Sequence, residues 1–178
     1  MTVKWPHIIK DNFLSNEHFN YLLNFSEQNV KDDGIGISKN KIWLEGKVEG
    51  KLNHKYLIKF YNDYQNELFN LLKDLAEDRI PMAKWIELNL VWTGKNYKFK
   101  IHEDSPNKLL SIVVYLAPKV NIGTILYSDE IGSDKTVIEW IQNRALIFAR
   151  KDGITWHSYE GDGMSTRYAL VLNIRSDI

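Results

Sequence analysis

The hydrophobic pattern of this 178-residue chain changes its period near residue 84. Upstream, the apolar residues between 57 and 75 recur at a spacing near 3.6, which predicts an amphipathic helix. Downstream, Ile86, Leu88 and Leu90 alternate with polar residues, which predicts a strand with one buried face. Because this alternation and frequent turns continue to the C terminus, the second half of the chain is predicted to be antiparallel β-structure.

The predicted strands are short, mostly apolar runs bounded by turn residues. They cover residues 84–92, 97–101, 109–117, 123–127, 136–140, 145–148, 154–159 and 167–174. Upstream, Ser15 is a candidate N-cap for a first helix, and Pro81 lies beyond the end of the second. Residues 31–51 are predicted to form a loop or hairpin anchored by Trp43. We therefore expect a mainly β (α+β) sandwich or barrel in one domain, 1–178, with a helical support region at 1–80 and a core at 84–178.

Composition excludes several classes of function. Lys plus Arg and Asp plus Glu both number 23, so there is no overall positive field, and the composition argues against a nucleic-acid partner. There are no cysteines, which removes disulfides and thiolate metal sites. No apolar run is long enough to span a membrane, and the N terminus has no signal-peptide pattern. We expect a soluble, cytoplasmic protein with no membrane partner.

A His-x-Asp sequence at His102 and Asp104 is the strongest candidate for chemistry, with His157 and Arg167 further along the chain. In an extended segment, residues two apart point the same way, so His102 and Asp104 can reach one metal while Glu103 faces away. Two imidazoles and one carboxylate form the ligand set of non-haem Fe(II) oxygenases. The alternative is that His102 and Asp104 are surface polar residues at a strand end and that His157 is a buried core histidine.

Strict alternation creates a conflict at this site, because it places His102 on the same face as Lys98 and Lys100. Two cations beside a metal would oppose metal binding. Either a β-bulge or strand break precedes His102, or the lysines lie at the mouth of the pocket. We predict the bulge, since such irregularities are common beside active sites.

The chain resembles the 2-oxoglutarate-dependent Fe(II) oxygenases, in their prolyl-hydroxylase-like branch. The segments that carry the resemblance span roughly residues 85–174 and keep the family's order: 97–106, 109–118, 123–127, 143–148, His157 and 166–172. The resemblance implies a double-stranded β-helix, or jelly roll, with supporting N-terminal helices. It implies that His102, Asp104 and His157 bind the iron and that Arg167 binds the C5 carboxylate of 2-oxoglutarate.

Further co-substrate contacts follow from the same resemblance. Tyr115 is the nearest match to a tyrosine on the strand after the metal segment, although its spacing is shifted, and Tyr97 begins that segment. Relatives often carry a tyrosine where this chain has Trp92, whose indole can only donate a hydrogen bond. We expect Tyr115 and Tyr97 to contact 2-oxoglutarate.

The implied activity is that of an Fe(II)/2-oxoglutarate-dependent dioxygenase, using O2 and with ascorbate as a candidate reductant. It would hydroxylate a peptide, at a prolyl or other amino-acid side chain, or a small molecule, while 2-oxoglutarate is decarboxylated to succinate. The alternatives are a cupin-like metal-binding sensor and a structural jelly roll, neither with turnover. Arg167 favours the enzyme, because a metal-binding barrel alone has no need of it.

Overall fold

The computed structural model describes residues 5–25 and 29–177. It contains two α-helices, a 3₁₀ segment and twelve strands, which we number in chain order. They are β1 Ile8–Lys10, α1 Asn16–Leu23, β2 Ile35–Ser38, β3 Asn40–Trp43, β4 Val48–Gly50, α2 His54–Ala76, the 3₁₀ segment Glu77–Met82, β5 Trp85–Thr93, β6 Lys98–His102, β7 Lys108–Ala117, β8 Ile125–Tyr127, β9 Thr136–Val137, β10 Ala145–Phe148, β11 Trp156–Glu160 and β12 Arg167–Arg175.

Both predicted helices are present and begin at polar caps. The Ser15 side chain accepts a hydrogen bond from a backbone N–H of α1, as predicted, and the Asn53 side chain does the same for two N–H groups of α2. The apolar side chains of α2 that recur every 3.6 residues form one face of the helix, and this face is buried against the sheet, as predicted. Its buried residues are Tyr56, Leu57, Phe60, Tyr64, Leu68 and Leu72.

Two antiparallel sheets form the rest of the structure, which confirms the predicted jelly-roll architecture. The larger sheet has the order β1-β10-β7-β12-β5-β3-β4, with β2 also paired to β5. The smaller sheet has the order β6-β11-β8-β9. All eight strands expected after residue 84 are found, most within two residues of their predicted bounds. No described helix is both long and apolar enough to cross a membrane.

Alternation along β5 and β12 gives the larger sheet two different faces. One face packs on α2 through Leu88, Leu90, Leu170 and other buried apolar residues. The opposite face, which includes Val91 and Ala169, lines a cavity. The smaller sheet contributes β6 and β11 to the same cavity. The two-residue period of the strands therefore separates the hydrophobic core from the site.

The helical support region predicted over residues 1–80 also contributes four short strands, three of them within the loop or hairpin predicted at 31–51. β1 pairs with β10, β2 and β3 pair with β5, and β3 and β4 form a hairpin within the expected loop at 31–51. Each has only three or four residues, and their partners lie far along the chain except within the hairpin. A local pattern cannot reveal such pairing. The assignment of the chain to one domain stays a prediction.

Leu170 is fully buried at the centre of β12, between Leu90 of β5 and Val114 of β7. Leu170→Ala should lower the free energy of unfolding by about 2–5 kcal/mol, because it opens a cavity in a core held on both sides. Chemical denaturation measures this. Val120→Ala, at a side chain that is 73% exposed, is the control and should change stability by less than about 0.5 kcal/mol. Equal effects of the two variants would contradict the assignment of this core.

Candidate active site

His102 and His157 lie directly opposite each other on the paired strands β6 and β11. Their ring centroids are 4.3 Å apart. Asp104 follows β6 by two residues, and its carboxylate Oδ1 lies 4.0 Å from His157 Nε2. One donor atom from each of the three residues lies within 4.8 Å of the other two. Strand pairing thus brings together three side chains that the sequence analysis had singled out.

A β-bulge in β6 resolves the conflict over the neighbouring lysines. His157 lies opposite His102, whereas Tyr159 lies opposite Phe99, so two steps along β11 match three along β6. The extra residue puts Phe99 and His102 on the cavity side. Lys98 and Lys100 are exposed and outside the cavity. The predicted bulge is confirmed, and its effect is to replace a cation beside His102 by an aromatic ring.

Backbone carbonyls determine which nitrogen each histidine offers. His102 Nδ1 lies 2.9 Å from the carbonyl oxygen of Lys100, and His157 Nδ1 lies 2.9 Å from that of Thr155. A carbonyl oxygen can only accept, so each Nδ1 carries the hydrogen and each Nε2 keeps a lone pair. Burial, followed by the charge of His157, lowers the pKa of His102 to about 4. Burial also lowers the pKa of His157. Both rings are therefore neutral at neutral pH, as metal ligation requires.

Asp104 is buried, and two side chains bind its carboxylate. Ser111 Oγ donates to Oδ2 at 2.5 Å, and Lys108 Nζ donates to Oδ1 at 2.5 Å. Burial alone would raise the pKa of Asp104, but Lys108 and the other charges and hydrogen bonds outweigh it and hold the pKa at about 2. Asp104 is therefore ionised. The sequence analysis missed Lys108, whose only signal was its spacing of four residues from Asp104.

Glu103 points away from this cluster, as the alternation predicted. Its Oε1 accepts a hydrogen bond from the backbone N–H of Ile154 at 3.0 Å, and its Oε2 lies 3.7 Å from Arg150 Nη2. Arg150 also donates from Nε to the carbonyl oxygen of Asp104 at 2.5 Å. Glu103 and Arg150 therefore brace the backbone beside Asp104 from outside the cavity.

The cluster opens into a cavity of about 340 Å³ between the two sheets. Along β12 its lining is polar at Arg167, apolar at Ala169 and Val171, and polar again at Asn173 and Arg175. The lining residues are Ile35, Ile37, Lys39, Glu87, Asn89, Val91, Phe99, His102, Asp104, Lys108, Val113, Thr124, His157, Tyr159, Arg167, Ala169, Val171, Asn173 and Arg175.

Arg167 lies in this cavity at the start of β12 and is only 3% exposed. Its Nε and Nη2 have no hydrogen-bond partner among the described residues. Its guanidinium carbon lies 4.9 Å from the ring centre of Tyr159 and 5.2 Å from that of Trp140. Burial lowers the pKa of Arg167, although an arginine this basic stays charged. A buried cation with two free donors and no acid beside it in the described part of the chain has the chemistry to bind an anion.

The two tyrosines expected to contact a co-substrate occupy different places. Tyr115 is buried beside Arg167, with 5.7 Å from the guanidinium carbon to its ring centre, and its hydroxyl accepts from the Thr124 N–H at 2.8 Å. Tyr97 packs 6.2 Å from the ring of Tyr159, and neither Tyr97 nor Tyr115 is among the cavity-lining residues. Their contact with 2-oxoglutarate stays a prediction. Trp92 lies in the hydrophobic core, stacked on Tyr168.

Tyr159 is the aromatic residue that the sequence analysis overlooked. It lines the cavity, packs over Arg167 and stacks on Phe99 with 5.0 Å between ring centroids. The available signal was its position two residues after His157 on the same strand, which places both side chains on one face.

Comparison with solved structures agrees with this geometry. A prolyl-4-hydroxylase from Pseudomonas putida superposes with a TM-score of 0.65 at 14% identity, covering 97% of this chain and 93% of that one. A 2OG-Fe(II) oxygenase family oxidoreductase from Burkholderia pseudomallei gives 0.64 at 13% identity, with coverages of 95% and 85%. The fold is that of the 2-oxoglutarate/Fe(II) oxygenases, in its prolyl-hydroxylase-like form.

A third structure with this oxygenase fold was solved with a peptide bound. It is a prolyl hydroxylase from Trichoplax adhaerens in complex with a fragment of the hypoxia-inducible factor oxygen degradation domain. It gives a TM-score of 0.60 at 18% identity and covers 96% of this chain and 83% of that one. No protein-family model and no curated protein sequence matches this chain. The fold that the motif resemblance implied is therefore confirmed by structural similarity rather than by sequence similarity.

Arg167 should weaken the fold of the ligand-free protein, because its buried charge has no counter-ion. We expect Arg167→Met to leave the free energy of unfolding unchanged or to raise it by about 1–2 kcal/mol. Arg175→Met is the matched control, since that guanidinium is bound to Glu87, Ser105 and Asn107. It should lower stability by about 1–3 kcal/mol. Denaturant titration of both variants tests this, and a large loss of stability in Arg167→Met alone would contradict it.

Proposed function

We propose that this protein is an Fe(II)/2-oxoglutarate-dependent dioxygenase that hydroxylates its substrate. The observation that carries the proposal is the presence, in one cavity, of the His102, Asp104 and His157 cluster together with the buried, unpartnered cation of Arg167. A metal cluster alone is compatible with many proteins. A carboxylate-binding arginine in the same cavity supports a reaction that needs both groups.

The donor set fits a ferrous ion. Two neutral imidazoles with free Nε2 lone pairs and one ionised carboxylate are the ligands of a facial triad that leaves coordination positions open. His102, His157 and Asp104 would hold the ion, and the Nδ1–H bonds to carbonyl oxygens would fix both ring orientations. With 2-oxoglutarate and O2, such an ion supplies the oxidising power for hydroxylation, with release of succinate and CO2.

The chain itself supplies binding and orientation. Arg167 would pair with the C5 carboxylate of 2-oxoglutarate through the two donors that lack partners. Tyr159 and Trp140 cover the guanidinium and keep water from competing for it. Of the two predicted tyrosine contacts, Tyr115 is the better supported, because it packs beside Arg167.

For the substrate, we propose an amino-acid side chain of a peptide, prolyl among the candidates, or a small molecule. The peptide-bound structure from Trichoplax adhaerens supports the peptide class. The chain's equal numbers of acidic and basic residues give no support to nucleic acid.

A structural or sensor jelly roll is the second candidate, and one contact favours it. Lys108 already neutralises Asp104 with a bond of 2.5 Å, as in an ordinary buried ion pair. The unpartnered guanidinium of Arg167 has no explanation on this second reading. Stoichiometric metal binding separates the enzyme from a structural jelly roll, and succinate formation separates it from a metal-binding sensor.

Asp104→Ala should abolish iron binding, whereas Glu103→Ala should preserve it, because only Asp104 faces the two histidines. The measurement is anaerobic titration with Fe(II) and 2-oxoglutarate, following the visible charge-transfer band, and then succinate formation after O2 is admitted. Circular dichroism confirms that both variants are folded. Undiminished succinate production by Asp104→Ala would refute the ligand assignment.

Arg167→Lys should weaken 2-oxoglutarate binding by about tenfold or more, because the ammonium loses the planar, two-pronged pairing with a carboxylate. Titrating 2-oxoglutarate into the Fe(II)-loaded variant and following the same band gives the affinity. Fe(II) affinity should stay unchanged, since Arg167 is not a donor to the metal. A loss of iron binding equal to the loss of 2-oxoglutarate binding would argue against a separate carboxylate site.

A further inference from the structure

The cavity has a second polar end, which the proposed reaction does not use. β12 runs along the cavity from Arg167 to Arg175, a separation of roughly 26 Å at 3.3 Å per residue. Asn173 lies opposite Ser111 of β7, and Ser111 donates to Asp104. Asn173 therefore lies close to the metal-binding cluster, on the side away from Arg167.

The orientation of the Asn173 amide is fixed by its neighbour. Its Nδ2 lies 3.1 Å from Glu87 Oε2. An ionised carboxylate only accepts hydrogen bonds, so the amide nitrogen must face Glu87 and the amide oxygen must face elsewhere. Arg175 Nη2, 2.9 Å from the same Glu87 oxygen, holds that carboxylate in place.

The Asn173 oxygen is left without a donor. Asn173 is only 2% exposed and lines the cavity, yet its Oδ1 has no partner among the described residues. Leaving a buried acceptor unpaired costs about 1–3 kcal/mol. Asn89, the neighbouring asparagine in the lining, differs, because its Oδ1 accepts from the Asn40 N–H and its Nδ2 faces Glu87.

Arg175 offers the complementary group. Its Nη1 donates to Ser105 Oγ at 3.0 Å and to Asn107 Oδ1 at 2.5 Å, and its Nη2 is bound to Glu87. Its Nε is buried and has no partner in the described part of the chain. Two residues apart on one strand, Asn173 and Arg175 thus present one unpaired acceptor and one unpaired donor.

We propose that Asn173 Oδ1 and Arg175 Nε bind an amide group of the substrate, whose N–H donates to Asn173 and whose carbonyl oxygen accepts from Arg175. The inference rests on the proposed function and narrows its substrate to peptides, N-acylated amino acids and other carboxamides. A carboxylate fits poorly, because it has no hydrogen for Asn173 and because Glu87 already neutralises Arg175. A hydrocarbon would leave both groups unpaired.

The rest of the lining agrees with an amide anchored at this end. Between Asn173 and Arg167 the cavity floor is apolar, formed by Val171, Ala169 and Val113. Ile35 and Ile37 of β2 form a further apolar wall and are partly exposed. An amide held at Asn173 therefore places the adjoining aliphatic carbons of the substrate against apolar walls and next to the metal-binding cluster.

The test compares an amide with its ester, which lacks only the N–H donor. The probes are N-acetylproline and 3-methylbutanoic acid, each as the N-methylamide and as the methyl ester, titrated into the purified protein by ligand-observed NMR. In both pairs the N-methylamide carries the only N–H. The titrations are run without additions and with Zn(II) plus 2-oxoglutarate. We expect at least one N-methylamide to bind about tenfold or more tightly than its ester. Equal binding of each pair, or no binding of either amide, overturns the proposal.

Asn173→Leu should bring the amide-to-ester ratio to about one while keeping the size of the side chain. Asn62→Leu makes the same change on the exposed face of α2 and should keep the wild-type ratio. Glu87→Gln is a second variant, useful if Asn173→Leu does not fold. A glutamine at position 87 can both donate and accept, so it no longer fixes the orientation of the Asn173 amide. The amide-to-ester binding ratio should therefore fall several-fold. A wild-type ratio in a folded Asn173→Leu or in Glu87→Gln overturns the assignment.

The two proposals fail in different ways. If wild-type protein forms the charge-transfer band with Fe(II) and 2-oxoglutarate but shows no amide preference, the amide subsite is wrong and the reaction stands. If the band never forms but Asn173→Leu removes an amide preference, the reaction is wrong and the subsite stands.

Discussion

The pairing of His102 with His157 across β6 and β11 is the constraint on which the site depends. It sets two imidazoles side by side, and the carbonyl oxygens of Lys100 and Thr155 hold the rings so that each Nε2 faces the same point. The bulge in β6 matters as much as the residues themselves. Without that one extra residue, strict alternation would place Lys100 on the cavity side with His102.

The cavity contains groups that a fold selected for stability alone would avoid. Arg167 is buried without an acid, and Asn173 is buried with its oxygen unpaired. Both lie on β12, whose other face carries Leu170 and Leu172 into the main core. One face of β12 therefore contributes apolar side chains to the core, and the other face holds the unsatisfied polar groups. The burial of the apolar side chains offsets the free-energy cost of burying the polar ones. Such local conflicts are typical of functional sites.

The sequence predicted the parts of this arrangement that repeat locally. The period of α2, the alternation from β5 to β12, the direction of Glu103 and the need for a bulge all follow from patterns within a few residues. The β3–β4 hairpin was one of the two forms predicted for residues 31–51. Strands β1 and β2 and the pairing of β3 with β5 do not follow from such patterns, because those partners are distant in sequence. Lys108 and Tyr159 were missed for a related reason, since their roles depend on Asp104 and on Arg167. The position of Trp92 in the core likewise depends on its stacking with Tyr168.

The two arginines of β12 make the two ends of the cavity chemically different. Both are buried or nearly so, and both keep an unpaired donor. Among the residues that the structure describes, only Arg175 has a carboxylate beside it, that of Glu87. The charge at the Arg175 end is already neutralised, so what that end lacks is a hydrogen-bonding partner rather than an anion. The Arg167 end lacks an anion. Two ligands would together satisfy both ends: a dianionic co-substrate with one carboxylate at Arg167, and a substrate with a neutral amide at Arg175. The cluster of His102, Asp104 and His157 lies between the two ends. With the two ligands exchanged, the neutral amide would leave the charge of Arg167 without a counter-ion. The carboxylate would then lie beside Arg175, whose charge Glu87 already neutralises. If both ligands bind as proposed, the charge distribution of the chain would determine which end each of them occupies.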